Sequence, residues 1–253
     1  MSRFVELARK LDRIPHLDLA KQFDLDRLQG ELDSIEPALF VPYKSVSKRH
    51  RDMVAKSWQG VSLISPERTL HGDLSEEYWG NPPTFAWTSL AEQVPYMKEV
   101  ICELGGLGQR ARLMRVQPGG RLAWHRHGGE VSTDGENGAH NGAALRPNWY
   151  ELIVHVPVRT NPDFSYEVAE VVSYQIVDFL TEQPAVHRKN YPAGEAWAFN
   201  STHVHNVFNR STTEARYALM LNLDIRMRKT FDIVSKAVDR YIANGEGPLM
   251  PGL

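Results

Sequence analysis

Along the first third of the chain, apolar residues recur at intervals of three and four. "RFVELARKLD" (3–12) and "LAKQFDLDRLQGELDSI" (19–35) read as amphipathic helices, and "VPYMKEVICELGG" (94–106) as a helix closed by glycine. Between them, residues 56–90 are broken by Gly and Pro and carry Trp58, Tyr78, Trp79, Phe85 and Trp87. That stretch predicts a loop-rich layer over a core, with short strands and aromatics that line a pocket or fill the core.

From residue 109 the period changes to two. "QRARLMRVQPGG", "RLAWHRH", "WYELIVHVPV", "VSYQIVDFL", "EAWAFN", "THVHNVFN" and "ARYALMLNLDI" are short β-rich runs separated by turn signals, the pattern of a sandwich or barrel. The polar, glycine-rich segment 128–148 is a long loop, either a lid or disordered. A final helix places Phe231, Val234, Ala237, Val238 and Ile242 on one face ahead of Gly245, to pack on the barrel or to pair with a second subunit in a homodimer.

The predicted organisation is a single domain over 1–253. It comprises a helical and loop-rich region at 1–105, a β core at 106–226 and a C-terminal helix at 227–244.

Composition narrows the function. A formal net charge of −2 gives no field to gather nucleic acid or an anionic membrane, so "KSVSKRHR" (44–51) reads as a solvated loop. No secretory signal and no spanning segment is evident, and the expected compartment is the cytoplasm. One cysteine excludes an intrachain disulfide, and Cys102 in its apolar run is expected to be buried and inert. Neither a nucleophile elbow nor a phosphate-binding glycine loop occurs.

Histidines carry the chemistry. Four of the ten fall in two short strand-like runs, His125 with His127 and His203 with His205, each pair after a glycine turn. Residues two apart on a strand share a side, so each pair could turn toward one ion. Imidazoles suit iron, zinc, copper or nickel, and the absence of thiolates points to a working site with open positions.

The succession "RARLMRVQPGGRLAWHRH", "IVHVPVRTNPD" and "GEAWAFNSTHVHNVFNRSTTEARYALML" resembles the aspartyl/asparaginyl β-hydroxylase family of Fe(II)- and 2-oxoglutarate-dependent oxygenases, over about residues 85–226. The resemblance implies a mainly β fold, a double-stranded β-helix with N-terminal helices and a C-terminal helix. It implies Fe(II) as cofactor, 2-oxoglutarate and O2 as cosubstrates, and hydroxylation of an unactivated C–H bond in an amino-acid, peptide or related small substrate.

By position, His125 and His205 match the iron-binding histidines. Arg216 matches the arginine that takes the distal carboxylate of 2-oxoglutarate, a task its two-pronged guanidinium suits. His155 and Ser211 are further cosubstrate-side candidates, with a backbone-satisfied buried histidine as the alternative for His155.

Two departures stand out. Where many members have a carboxylate two residues after the first histidine, this chain has His127, which is a third ligand, an outer group or a side chain turned away; Glu130 and Asp134 are alternative carboxylates. Ile153 stands where members often have arginine. Arg126, Arg146 and Arg159 are candidates to meet an anionic substrate.

A second resemblance, to cupins, runs through Gly119, His125, His127 and Glu130 and then His205 and Asn209. It accounts for His127 as one of three metal-binding histidines and leaves Arg216 without a role. The third reading is a non-catalytic barrel that binds a ligand or partner.

Overall fold

The computed structural model describes residues 3–43, 57–66, 68–71, 85–122, 124, 150–170, 185–247 and 249–250. The expected strand at 172–180, the loop at 128–148, the basic run 44–51, Tyr78 and Trp79 lie outside them, as do His125, Arg126, His127, Glu130, Asp134 and Arg146.

Strands β1 (His16–Gln22), β2 (Val41–Pro42), β3 (Trp58–Pro66), β4 (Phe85–Trp87), β5 (Ala111–Val116), β6 (Glu151–Arg159), β9 (Glu195–Phe199) and β11 (Arg216–Asp224) form one sheet. Its order is β1-β9-β6-β11-β5-β3-β2, with β4 on β3. A second sheet has the order β10-β7-β8, from β7 (Phe164–Ala169), β8 (Val186–Lys189) and β10 (His205–Asn209). An isolated bridge from Arg121 to Phe208 brings the chain after β5 beside β10.

The path therefore crosses between sheets after β5, β6, β8, β9 and β10, with β9-β6-β11-β5 facing β8-β7-β10. This is a double-stranded β-helix with a mainly β architecture.

Strand alternation divides the apolar residues into two clusters. Leu219, Leu221 and Leu223 of β11 with Val154 and Val156 of β6 face the helices, whereas Met220, Ile153, Met114, Phe164, Tyr166 and Val207 fill the barrel. Because both faces of β11 are covered, it reads as a nearly unbroken apolar run.

Helices α1 (Arg3–Leu11), α2 (Leu25–Ser34), α3 (Pro95–Leu104) and α4 (Arg228–Asn244) complete the described architecture. The Glu31 carboxylate of α2 accepts from the backbone N–H groups of Tyr96 and Met97, at 2.6 and 2.8 Å, and so satisfies the orphan donors at the start of α3. At its far end, Gly105 adopts φ +87°, and an added Cβ there would lie 2.7 Å from the Thr230 hydroxyl of α4.

Several expectations are corrected. The helix expected over 19–35 begins at Leu25, because His16–Gln22 instead pairs antiparallel with β9 and buries Leu17 and Leu19 two apart. Short strands expected in 56–90 are present as β3 and β4, with the nine-residue β3 directly beside β5, and β1 and β2 add strands before them.

Cys102 is half-buried, since the buried face of α3 is Met97, Val100, Ile101 and Leu104. Ile242 is exposed at 46%, because Thr230, Val234, Ala237, Val238 and Tyr241 form the inward face of α4, which packs on β1, α1 and α3.

Trp58 is in the barrel core, but Phe85 and Trp87 pack in the helix-side cluster and so do not line the interior. Among the described residues no helix is long and apolar enough to cross a membrane.

Candidate functional site

β11 opens on Arg216, whose partner across the ladder is Val116 of β5. Alternation points its side chain into the barrel, where it is 1% exposed. The guanidinium carbon lies 4.5 Å from the ring centre of Phe164 and 5.0 Å from that of Tyr166. None of its three nitrogens makes a hydrogen bond of regular geometry among the described residues, although the Tyr166 hydroxyl stands close enough to favour its charge.

Burial disfavours the charge and lowers the Arg216 pKa, an effect opposed by the neighbouring Tyr166 and Tyr191 phenols. Arginine nevertheless keeps its proton in proteins. A buried cation without a counter-charge costs several kcal/mol, and among the described residues only the phenols of Tyr166 and Tyr191 favour it. Tyr166 is fully buried as well; burial raises its pKa and the Arg216 charge opposes the rise, so it faces the cation as a neutral phenol.

His205 begins β10, opposite Val168 of β7, and is 1% exposed. Its Nδ1 lies 2.9 Å from the His203 carbonyl. A carbonyl only accepts, so Nδ1 carries the proton and Nε2 is the nitrogen suited to a metal.

Ring contacts then run from His205 to Phe199 at 4.8 Å, and from Phe199 to Tyr166 at 5.5 Å. His155 of β6 is 2% exposed and joins this line, with centroids 4.8 Å from Tyr166 and 5.5 Å from Phe199. The fold thus brings His205, His155 and Arg216 into one continuous interior path.

His203 does not join them. The sequence pattern treats His203 and His205 as a same-side strand pair, but residues 201–203 form a turn and the strand starts at His205. The His203 ring is aimed away, with Nε2 donating to the Asp12 carbonyl at 3.1 Å. Among the described residues no three His, Cys, Asp or Glu side chains converge as a metal cage.

Ser211 serves the turn before β11, its hydroxyl oxygen accepting from the backbone N–H groups of Thr213 and Glu214 at 3.3 and 3.0 Å. Asn209, completely buried, donates to the carbonyls of Val116, Gln117 and Glu214 and so fixes the same turn. Its part is therefore to deliver Arg216 at a set height in the barrel. Arg159 lies on the outside, paired with Asp33 at 2.9 Å.

Tyr166, Phe164 and Phe199 were not singled out by the sequence pattern. The signal existed for two of them: in "FSYEVA", Phe164, Tyr166 and Val168 alternate toward the core.

A further buried pair lies behind the aromatic path. Tyr191 stacks on Tyr166 with centroids 4.2 Å apart and donates its hydroxyl to His16 Nδ1 at 2.8 Å, while His16 Nε2 donates to the His187 carbonyl at 3.0 Å. Desolvation lowers the His16 pKa to about 4, and the imidazole is neutral.

No protein-family model matches the chain, and no curated protein matches it. Among solved structures, an oxidoreductase of the 2OG-Fe(II) oxygenase family from Burkholderia pseudomallei is 11% identical, over 87% of this chain and 90% of its own, with a TM-score of 0.49. A prolyl-4-hydroxylase from Pseudomonas putida is 12% identical over 87% of this chain and 98% of its own, with a TM-score of 0.44. Iron-bound HygX from Streptomyces hygroscopicus is 11% identical over 88% of this chain and 86% of its own, with a TM-score of 0.49.

Proposed function

We propose that this protein is an Fe(II)- and 2-oxoglutarate-dependent oxygenase that hydroxylates an unactivated C–H bond of an amino-acid, peptide or related small-molecule substrate. The observation that carries the reading is Arg216, a fully buried guanidinium with no hydrogen bond of regular geometry to any of its nitrogens among the described residues. A dicarboxylate cosubstrate supplies the missing anion at one end and a metal-chelating group at the other.

His205, with Nε2 left for a metal, supports that reading. By sequence position, His125 and His127 would complete the metal's ligands, His127 where a carboxylate is usual. Arg216 would hold the distal carboxylate, a task its two-pronged guanidinium suits, with the Tyr166 ring against its side. His155, in ring contact with Tyr166, would lie beside the cosubstrate, and the Ser211 turn sets the start of β11.

Bound iron with 2-oxoglutarate and O2 would supply the oxidation, releasing succinate and CO2. The chain's share is to hold the cosubstrate in one orientation and to exclude water, for which Met114, Ile153, Phe164, Val207 and Met220 provide an apolar lining. A cupin without an anionic cosubstrate would leave the Arg216 charge unanswered, which weighs against that alternative.

Anaerobic addition of Fe(II) and then 2-oxoglutarate tests the reading. The expected result is a visible metal-to-ligand charge-transfer band that disappears in His205→Ala. Metal uptake with no band would favour the cupin-type site, and no uptake would favour the non-catalytic barrel.

A further inference from the structure

Residues 11–15 and 200–203 are joined by a dense set of hydrogen bonds across a long sequence separation. The Asn200 amide donates to the Asp12 carbonyl at 2.8 Å, and the Asn200 backbone N–H donates to the Pro15 carbonyl at 2.9 Å. Thr202 Oγ1 donates to Asp12 Oδ1 at 2.7 Å, and His203 Nε2 donates to the Asp12 carbonyl at 3.1 Å. Within the turn, Asn200 Oδ1 accepts from the backbone N–H groups of Thr202 and His203, at 2.9 and 3.3 Å.

The backbone N–H and ring Nε2 of His203 are therefore tied down, and its carbonyl accepts from His205 Nδ1. α1 itself is braced from behind, where Phe4 packs edge-on against Phe231 of α4 with centroids 5.2 Å apart.

We infer that the end of α1 belongs to the metal site, with Asp12, Thr202 and His203 as positioning residues that fix the ring of His205. This deepens the oxygenase reading and rests on His205 being a ligand. The physical cause is the location of His203 in a turn. A turn carbonyl is free to rotate unless its residue is anchored, whereas one within a strand is held by the ladder. The partner of a ligand histidine's second nitrogen sets its tautomer and ring plane, and losing such partners typically weakens metal binding by about 10–100-fold.

Three variants separate positioning from folding. His203→Phe fills the same space and removes the donor to Asp12. Thr202→Val removes the hydroxyl link independently, and Thr202→Ser restores it. Two readouts are taken on each full-length protein: the ring 15N shifts of His205 in metal-free protein, which report its tautomer, and Co(II) affinity by calorimetry.

The expected result is a single Nδ1–H tautomer in the wild type, a tautomer mixture with about 10–100-fold weaker Co(II) binding in His203→Phe and Thr202→Val, and near-wild-type values in Thr202→Ser. Should His203→Phe fail to fold, Thr202→Val against Thr202→Ser decides the matter alone. Unchanged tautomer and affinity in the variants, with Co(II) bound by the wild type, would overturn the inference and leave the oxygenase reading intact. A wild type that takes up no Co(II) would overturn both.

Discussion

Arg216 lies against Phe164, with its guanidinium carbon 4.5 Å from the ring centre, and Tyr166 closes a second side at 5.0 Å. Aromatic faces lower the cost of a cation in a barrel interior without neutralising it. The arrangement sets one buried positive charge at the end of an interior path that starts at His205, and in the proposed reading that charge takes the cosubstrate.

Tyr166 should tune that charge. Replacing it with Phe keeps the ring against Arg216 and removes the neutral hydroxyl. If that hydroxyl donates to the bound carboxylate, its loss costs about 1 kcal/mol, so 2-oxoglutarate affinity in Tyr166→Phe should fall roughly 5-fold, as measured by calorimetry with Mn(II) present.

Metal should stabilise the fold through His205. A ligand that binds only the folded state raises stability by mass action, about 2.7 kcal/mol at 100-fold over its dissociation constant. The melting temperature should rise on adding Mn(II), return on adding chelator, and stay flat throughout in His205→Ala.

His16 makes stability fall in acid. Its folded pKa of about 4 lies below the ordinary 6.5, so between these values the unfolded chain binds the proton that the folded chain refuses. The contribution is fully present above about pH 6.5 and is lost as pH falls toward 4, to a total of about 3 kcal/mol. Urea midpoints of metal-free protein should drop across that window more steeply in the wild type than in His16→Gln.

Gly105→Ala should destabilise. The new Cβ would be strained at φ +87° and would press on the Thr230 hydroxyl at 2.7 Å. A cost on the order of 1–3 kcal/mol is expected, read as a melting point lowered by several degrees with the far-ultraviolet spectrum unchanged.

How much of this was legible depended on whether a signal was local. β5, β6, β9, β10 and β11 announce themselves because their alternation is long or their apolar run unbroken. β8, "VHRK", offers four residues with two of them exposed, and pattern alone cannot mark it. β1 was masked by Leu19, Phe23 and Leu25, whose spacing imitates a helix, while its actual partner lies near residue 198.

The candidate site divides in the same way. A resemblance in motif order singles out Arg216 and His205, which the fold places in the barrel interior, whereas the turn at 201–203 defeats the two-apart rule for His203. Pairing of His16 with Tyr191, and of Asp12 with Thr202, joins chain segments far apart in sequence and leaves no mark in either local pattern.

The most direct measurement is 2-oxoglutarate binding to Mn(II)-loaded wild type and Arg216→Met, by calorimetry under nitrogen. Methionine fills much of the cavity and removes the charge, so affinity should fall on the order of 100-fold while Mn(II) affinity stays within a few-fold. Equal 2-oxoglutarate affinity in the two proteins would contradict the role given to Arg216, and with it the oxygenase reading.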